Sequence, residues 1–352
     1  MGGTRSLPLP LPLPLSRVTA PGGAPEKLAF DSTTLPPAER MERYRALYGI
    51  GADVEQTGPA PRMTFEGWRL DRAIIYHRRL NDVSHSRTEP RVQRDGMTHW
   101  TVTLVFEGVL ESDLGAGLRR LGPGDVILAD VSQPGRSVAH DARIATLSIA
   151  QDRMEEVIGS IAGLHATILS PEHCRLYADF VTSLLANLPT MKAASLPSAT
   201  STLATLLKVA LESQGTRDAV ADAAREARKL TPFRTLVDAR LSDPSFDANA
   251  AIRESGVSRA TLYRLLQPGR GLASFIQERR MEKVRRSLSD SEDRRPFAAI
   301  ALDAGFATES HASRVFLSRY GIRPSAYRAT VAPTAGDADP IEQFRIWQQE
   351  LR

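Results

Sequence analysis

Cysteine is almost missing from this chain: Cys174 is the single thiol in 352 residues. That excludes a disulfide framework and any Cys-rich zinc site built within one chain, and it fits a reducing cytoplasm. Long apolar runs are missing too. No stretch approaches the roughly 18 uninterrupted apolar residues of a membrane span, although 42% of the chain is hydrophobic, enough for ordinary buried cores. Phosphate-cradling loops are absent: "GAGLRRLGPGD" has glycines but no Lys-Ser/Thr after them. No nucleophile constellation is present. His77, His85, His99 and His140 never form the His-x-His pair that puts two ligands on one strand face, and Glu107 and Glu111 have no third ligand at a useful spacing. Metal and cofactor are therefore not expected, and the chain does not read as an enzyme.

Leucine and proline, by contrast, crowd the beginning, "MGGTRSLPLPLPLPLSRV". Alternating proline removes backbone donors and forbids the helical segment of a signal peptide. Residues 1–38 are expected to be a disordered, polyproline-like leader. Charge is unevenly placed. Residues 231–330 hold 17 Lys and Arg against 11 Asp and Glu, and the rest of the chain holds 28 against 30. A basic module joined to a slightly acidic one suggests that only one of them meets nucleic acid.

The pattern of apolar residues divides the chain further. "AIIYHRRL", "HWTVTLVFEGVL", "DVILAD" and "IATLSIA" are short β-branched and aromatic segments separated by turn residues, with Pro123-Gly124-Asp125 directly before a strand. They predict a β-rich sandwich or barrel. From Pro171 the period becomes helical: Leu176, Phe180, Leu184, Leu185 and Leu188, then Leu203, Leu206, Leu207, Ala210 and Leu211. These two amphipathic helices either cover the barrel or form a homodimer interface, and the second reading is favoured. Residues 213–230 read as a linker. After residue 330 comes a tail whose Ile341, Phe344, Ile346 and Trp347 mark a short amphipathic helix that docks somewhere.

The basic region carries one grammar twice. In "IALDAGFATESHASRVFLSRYGIRPSAYR" a helix with Ile300, Ala301 and Ala304 inward stops at Gly305-Phe306. Gly305 can take a left-handed conformation without a Cβ penalty. Thr308 then caps a second helix, which buries Ala312, Val315, Phe316 and Tyr320 and leaves Glu309, Ser310, His311, Ser313 and Arg314 outside. "DANAAIRESGVSRATLYRLLQ" repeats this with Gly256-Val257 as the turn and Ser258 as the cap. Leu262, Leu265 and Leu266 face inward, and Arg259, Ala260, Thr261, Tyr263 and Arg264 lie at the reading end. Both are helix-turn-helix patterns, which aim a helix end into a major groove. The intervening "LASFIQERRMEKVRRSLSD" is one basic helix of about 18 residues, near 27 Å long. Successive major grooves on one face of DNA lie roughly 34 Å apart, so such a rod can hold two reading heads on one side of the duplex. Arg264 and Arg314 hold equivalent posts, and Arg to guanine is the commonest specific base contact. Ser258, Thr308, Arg319 and Arg285 are expected at phosphates. Arg279, Arg280, Lys283 and Arg286 either touch phosphate or keep the rod soluble, some of them paired with Glu278 and Glu282.

On these residues, 231–330 resembles the DNA-binding domain of the AraC/XylS family of transcriptional regulators. The closing signature is carried by Ile300-Ala301, Gly305-Phe306, Ser310-His311, Ser313-Arg314, Phe316, Gly321, Pro324, Tyr327 and Arg328. Departures are Ala312, where the family has an aromatic or Leu, and Leu266 with Gln267-Pro268, where it more often has Phe and a basic residue. An underfilled core at Ala312 calls for a large neighbour, Tyr320 or Trp347. "LGPGDVILADVSQPG" more loosely resembles the cupin-like effector-binding domain of one branch of that family.

The resemblance implies an α+β chain of several parts. A leader (1–38) precedes a cupin-like effector-binding barrel (39–170), a helical dimerisation region (171–212) and a linker (213–230). A double helix-turn-helix domain (231–330) and a tail (331–352) follow. It implies a cytoplasmic homodimeric activator that binds promoter DNA, a small-molecule effector and RNA polymerase, with no membrane contact. Arg91, Trp100 and His140 are the expected effector contacts. Two rivals stand beside it: a cupin-type metalloenzyme fused to a DNA-targeting module, and a non-specific architectural DNA-binding protein.

Overall fold

In the computed structural model, residues 16–18, 25–159, 161, 163–214, 233–257, 262, 271–289, 293–331 and 340–351 are described. The N-terminal part is one antiparallel sheet of eleven strands. In chain order these are β1 (Ser16–Val18), β2 (Lys27–Asp31), β3 (Asp53–Gln56), β4 (Arg62–Arg69), β5 (Ala73–Asn81), β6 (Val83–Arg87), β7 (Trp100–Asp113), β8 (Arg119–Leu121), β9 (Val126–Asp130), β10 (Gly135–Ile149) and β11 (Ile168–Leu169). Their main path runs β1-β2-β4-β5-β10-β7-β9-β11, while β6 bridges β3 and β10. The expected β-rich N-terminal domain is present, followed by a helical C-terminal part. The ordered chain starts earlier than residue 39, because β2 already pairs with β4 through Lys27↔Trp68 to Asp31↔Thr64.

Successive side chains of a strand point to opposite faces, and both faces here are buried. Outward go Ala73 and Ile75, then Trp100, Val102 and Leu104, then Ala145, Leu147 and Ile149. They pack under α3 (Gln151–Ile158), α4 (Pro171–Asn187) and α5 (Leu196–Ser213). The two helices after the barrel therefore cover it. In α4 the buried stripe is Cys174, Tyr177, Val181 and Leu184, continued by Leu188 just beyond it, so Leu176 is turned out and 63% exposed. Inward go Ile74, Tyr76 and Leu80, Val105, Ile127 and Ile144, which meet Tyr44, Leu47 and Tyr48 of α1 (Pro37–Tyr48). A short helix, α2 (Glu89–Asp95), precedes β7.

The C-terminal part is helical: α6 (residues 233–240), α7 (Ala248–Ser255), α8 (Leu272–Ser289), α9 (Phe297–Asp303), α10 (Glu309–Tyr320) and α11 (Pro324–Val331). The tail helix α12 (Pro340–Gln349) docks between the two parts. Its Phe344 and Trp347, with Leu351 just beyond, join the barrel's inner core, whereas Ile346 joins the cluster around α10. Glu350 accepts from Arg69 of β4 and from the Tyr327 hydroxyl of α11.

Candidate nucleic-acid interface and ligand cavity

Gly305 shapes the turn of the second helix-turn-helix unit. Its φ is +86°, and a Cβ there would sit 1.9 Å from the Leu241 carbonyl oxygen, so no other residue fits. The chain end of α9 is closed by the Phe306 amide donating to Ala301 O at 3.0 Å, and Phe306 drops into the core. Thr308 then starts α10, its hydroxyl accepting from the His311 amide at 3.2 Å. Ala312, Phe316 and Tyr320 are buried. Tyr320 lies 4.6 Å from the Phe316 ring in the same cluster as Ala312, and so is the large neighbour that site needs; Trp347 sits in the barrel core instead. Glu309, Ser310, His311 and Arg314 are exposed along the start of α10, and Ser313 is half-buried. Arg314 has only a weak bond, 3.4 Å, to Ser310 O. These side chains present carboxylate, hydroxyl, imidazole and guanidinium chemistry on the end of a rigid helix, groups that can read base edges.

The first unit is described up to its turn. Asp247 caps α7 by accepting from the Ala250 amide at 2.8 Å, and Gly256 ends it in the left-handed region at φ +66°. Ala250, Ala251 and Leu262 share one buried cluster with Phe233, Val237 and Phe246. Ser258, Arg259, Ala260, Thr261, Tyr263 and Arg264 lie outside the described residues.

The rod between the units is α8, of 18 residues as its length in the sequence predicts. Its cations, however, point mostly at protein. Arg285, expected at phosphate, is 3% exposed and donates to Glu282 at 2.9 and 3.0 Å, with Asp71 of the β4–β5 turn 3.5 Å away. Arg279 pairs with Asp238 at 2.7 Å and with Glu156 of α3 at 3.1 Å. Arg280 donates to the carbonyls of Leu241, Asp243 and Phe246, and Lys283 to that of Asp303. Arg286 joins Glu282. Arg319, the other expected phosphate contact, lies 3.6 Å from Glu278 and ties α10 to the rod. Of the phosphate set, Thr308 stays at an open helix start.

Residues 252–330 match a helix-turn-helix domain family. Across 82% of its length the chain is 22% identical to the transcriptional activator NphR of a Rhodococcus species, covering 88% of that protein. The crystal structure of the AraC-like transcriptional activator CuxR overlays with a TM-score of 0.51 at 21% identity, over 72% of this chain and 93% of that one. The C-terminal module is a helix-turn-helix domain.

The barrel in front of this helix-turn-helix domain holds a cavity of about 150 Å³. Tyr48, Tyr76, Arg78, His85, His99, Thr103, Ile127 and Thr146 line it, as does Gln348 of the tail helix α12. Its floor is a row of inward-facing hydroxyls. Tyr76 Oη lies 2.8 Å from Ser148 Oγ, Thr103 Oγ1 3.0 Å from Thr146 Oγ1, and Arg78 donates to Thr146 Oγ1 at 3.1 Å. Burial raises the Tyr76 phenol well above its ordinary range, so it stays a donor. Burial, and after it the charge of Arg78, pushes His85 well below the ordinary imidazole value. That ring is neutral and shares a 3.0 Å bond with the Tyr44 hydroxyl.

None of Arg91, Trp100 and His140 lines this cavity. Arg91 pins the end of α1 by bonding to Asp53 and to the carbonyls of Gly49 and Ile50. Trp100 is buried on the outer face under the helices. His140 is exposed, 3.4 Å from Glu111. Sequence reasoning missed Arg78, although "AIIYHRRL" places it on the same strand face as Ile74, Tyr76 and Leu80. Among the described residues, no three metal-ligating side chains come together.

Proposed function

We propose that this chain is a sequence-specific DNA-binding transcriptional regulator, an activator, controlled by a small molecule bound inside its N-terminal barrel. The observation that carries this reading is α10: an AraC-type second helix, rigidly capped, whose starting face offers Glu309, Ser310, His311 and Arg314 to solvent. Ser313 flanks them. Arg259, Ala260, Thr261, Tyr263 and Arg264, which lie outside the described residues, supply the matching head by their place in the repeated sequence pattern. Thr308, with Ser258 at the equivalent place, meets phosphate. Arg285 and Arg319 are better assigned to holding the protein together, given their carboxylate partners.

The barrel cavity, rather than Arg91, Trp100 and His140, is the effector site in this reading. Occupancy favours one arrangement of barrel and AraC-type domain, with α12 as the physical link, because it borders the cavity through Gln348 and packs against α10 through Ile346. A homodimer forms through the outer faces of α4 and α5, where Leu176 and Val209 stand open. RNA polymerase is the downstream partner, and the cytoplasm is the setting. NphR and CuxR, both transcriptional activators, support this reading.

Mapping the protein's binding sites across its host genome tests it. The regulator reading expects a small set of sites sharing one sequence, lost with Arg314→Ala. Even coverage of the genome, unaltered by that variant, would favour an architectural role. Stoichiometric iron, zinc or manganese in the purified protein would favour the metalloenzyme.

A further inference from the structure

Arg78 is a buried cation without a carboxylate. Its residue is 5% exposed, at the heart of the barrel, and no acidic side chain among the described residues pairs with it. Its neighbours are neutral: the rings of Tyr48 and Tyr76 lie 4.8 and 5.1 Å from the guanidinium carbon. A guanidinium carries five N–H donors. One reaches Thr146 and another the neutral Tyr44 hydroxyl, and Nε is buried with no partner. An unpaired buried charge costs several kcal/mol unless something compensates it, and an unsatisfied buried donor adds to that. The other buried arginines at comparable depth are compensated: Arg72 by Asp152 and Glu282, Arg285 by Glu282 and Asp71. Among the described residues, Arg78 is the buried arginine at which such a deficit meets a cavity.

The walls narrow the chemistry. Arg87, another lining cation, already has Asp95 at 2.9 Å. Asp130, the acidic lining residue, accepts from the Ser132 amide and hydroxyl at the exposed rim. Leu80, Leu110, Ile127 and Ile144 supply an apolar wall, and the hydroxyls of Thr103 and Thr146 border the guanidinium. A planar fork of parallel donors matches a carboxylate. We infer that the barrel binds a small organic monocarboxylate whose carboxylate docks on Arg78 and whose compact apolar body, about the size of a benzene ring with short substituents, fills the rest of the 150 Å³. This inference rests on the cavity being the effector site and adds the class of its ligand.

Acetate is the minimal probe, since any site for a small carboxylate admits it, and acetamide is its neutral match. Full-length protein labelled with ¹⁵N-arginine is titrated with each while the Arg Nε–H resonances are followed. The expected result is a saturable shift of the Arg78 Nε–H signal with acetate and none with acetamide. Arg78→Met removes that signal and weakens acetate binding at least tenfold. Should Arg78→Met lose its circular dichroism spectrum, Arg78→Lys, which keeps the charge but has no Nε–H, identifies the signal by its disappearance. Equal responses to acetate and acetamide, or no saturation at Arg78, overturn the inference. DNA affinity in the same samples separates the two claims: a saturable acetate response at Arg78 with unchanged DNA binding keeps the anion site and sinks the effector reading.

Discussion

Arg314 and Arg285 come from the same basic stretch, and burial alone separates their work. Arg314 is exposed on the starting face of α10, and Arg285 is buried against Glu282. Arg314→Ala should weaken binding to the preferred duplex by about 1–3 kcal/mol and leave random duplex nearly untouched, as read by fluorescence anisotropy. An equal loss on both duplexes would contradict a base-reading role. Arg285→Ala should instead lower stability by about 1–3 kcal/mol in urea unfolding, since it removes two hydrogen bonds to buried Glu282 and leaves that carboxylate to Arg72 and Arg286. A near-neutral effect on stability, with a shallower salt dependence of DNA binding, would return Arg285 to the phosphate set. The sequence shows both residues on a basic helical module, but helical phase does not reveal that Asp71, two hundred residues upstream, waits opposite one of them.

At the scale of elements, capped and periodic helices were the most legible. α8 spans the stretch its basic sequence marks, and α10 starts after Thr308 and stops at Gly321. The phase of α4 was harder. Leucines draw the eye to Leu176 and Phe180, yet the small, apolar Cys174 completes the buried stripe with Tyr177, Val181 and Leu184. Barrel strands hid their inner face for a different reason. In "WTVTLVF" and "IATLSIA" the Thr and Ser residues look solvent-facing by alternation, whereas they line the inside and the large apolar residues lie under helices. Alternation gives two faces but not which one a later helix will cover. The tail helix shows the same lesson: its apolar residues announce docking, and only the fold says where. Trp347→Ala should cost about 3–5 kcal/mol of stability in chemical unfolding, because Trp347 is 1% exposed in the inner core and donates to Glu26 at 3.1 Å. A change under about 1 kcal/mol would mean that α12 is only loosely held in solution.

Across the whole molecule, barrel and helix-turn-helix domain are joined by a seam of buried ion pairs. Arg72, Asp152, Glu282, Arg285 and Asp71 form one connected group, and Arg69, Glu350 and Tyr327 another. Burial disfavours charge on Glu282, but Arg285 and Arg72 outweigh it and hold its carboxyl well below the ordinary range. Asp152 is lowered in the same way by Arg72 against its burial. A depressed carboxylate contributes stability that is complete above its unfolded value, near about 4.3 for Glu, and that is lost as pH falls through the folded value. Unfolding midpoints should therefore hold between pH 8 and about 5 and drop below about 4. Glu282→Gln should start lower at neutral pH and fall less steeply, and an identical pH slope in that variant would contradict the seam's role.

The most direct test of the central claim is selection of bound sequences from random duplexes by the full chain, wild type and Arg314→Ala side by side. Two paired reading heads predict an enriched motif of two halves about 10 base pairs apart, with Arg314→Ala erasing preference in one half and sparing the other. No enriched motif, or one that Arg314→Ala leaves intact, would contradict the account.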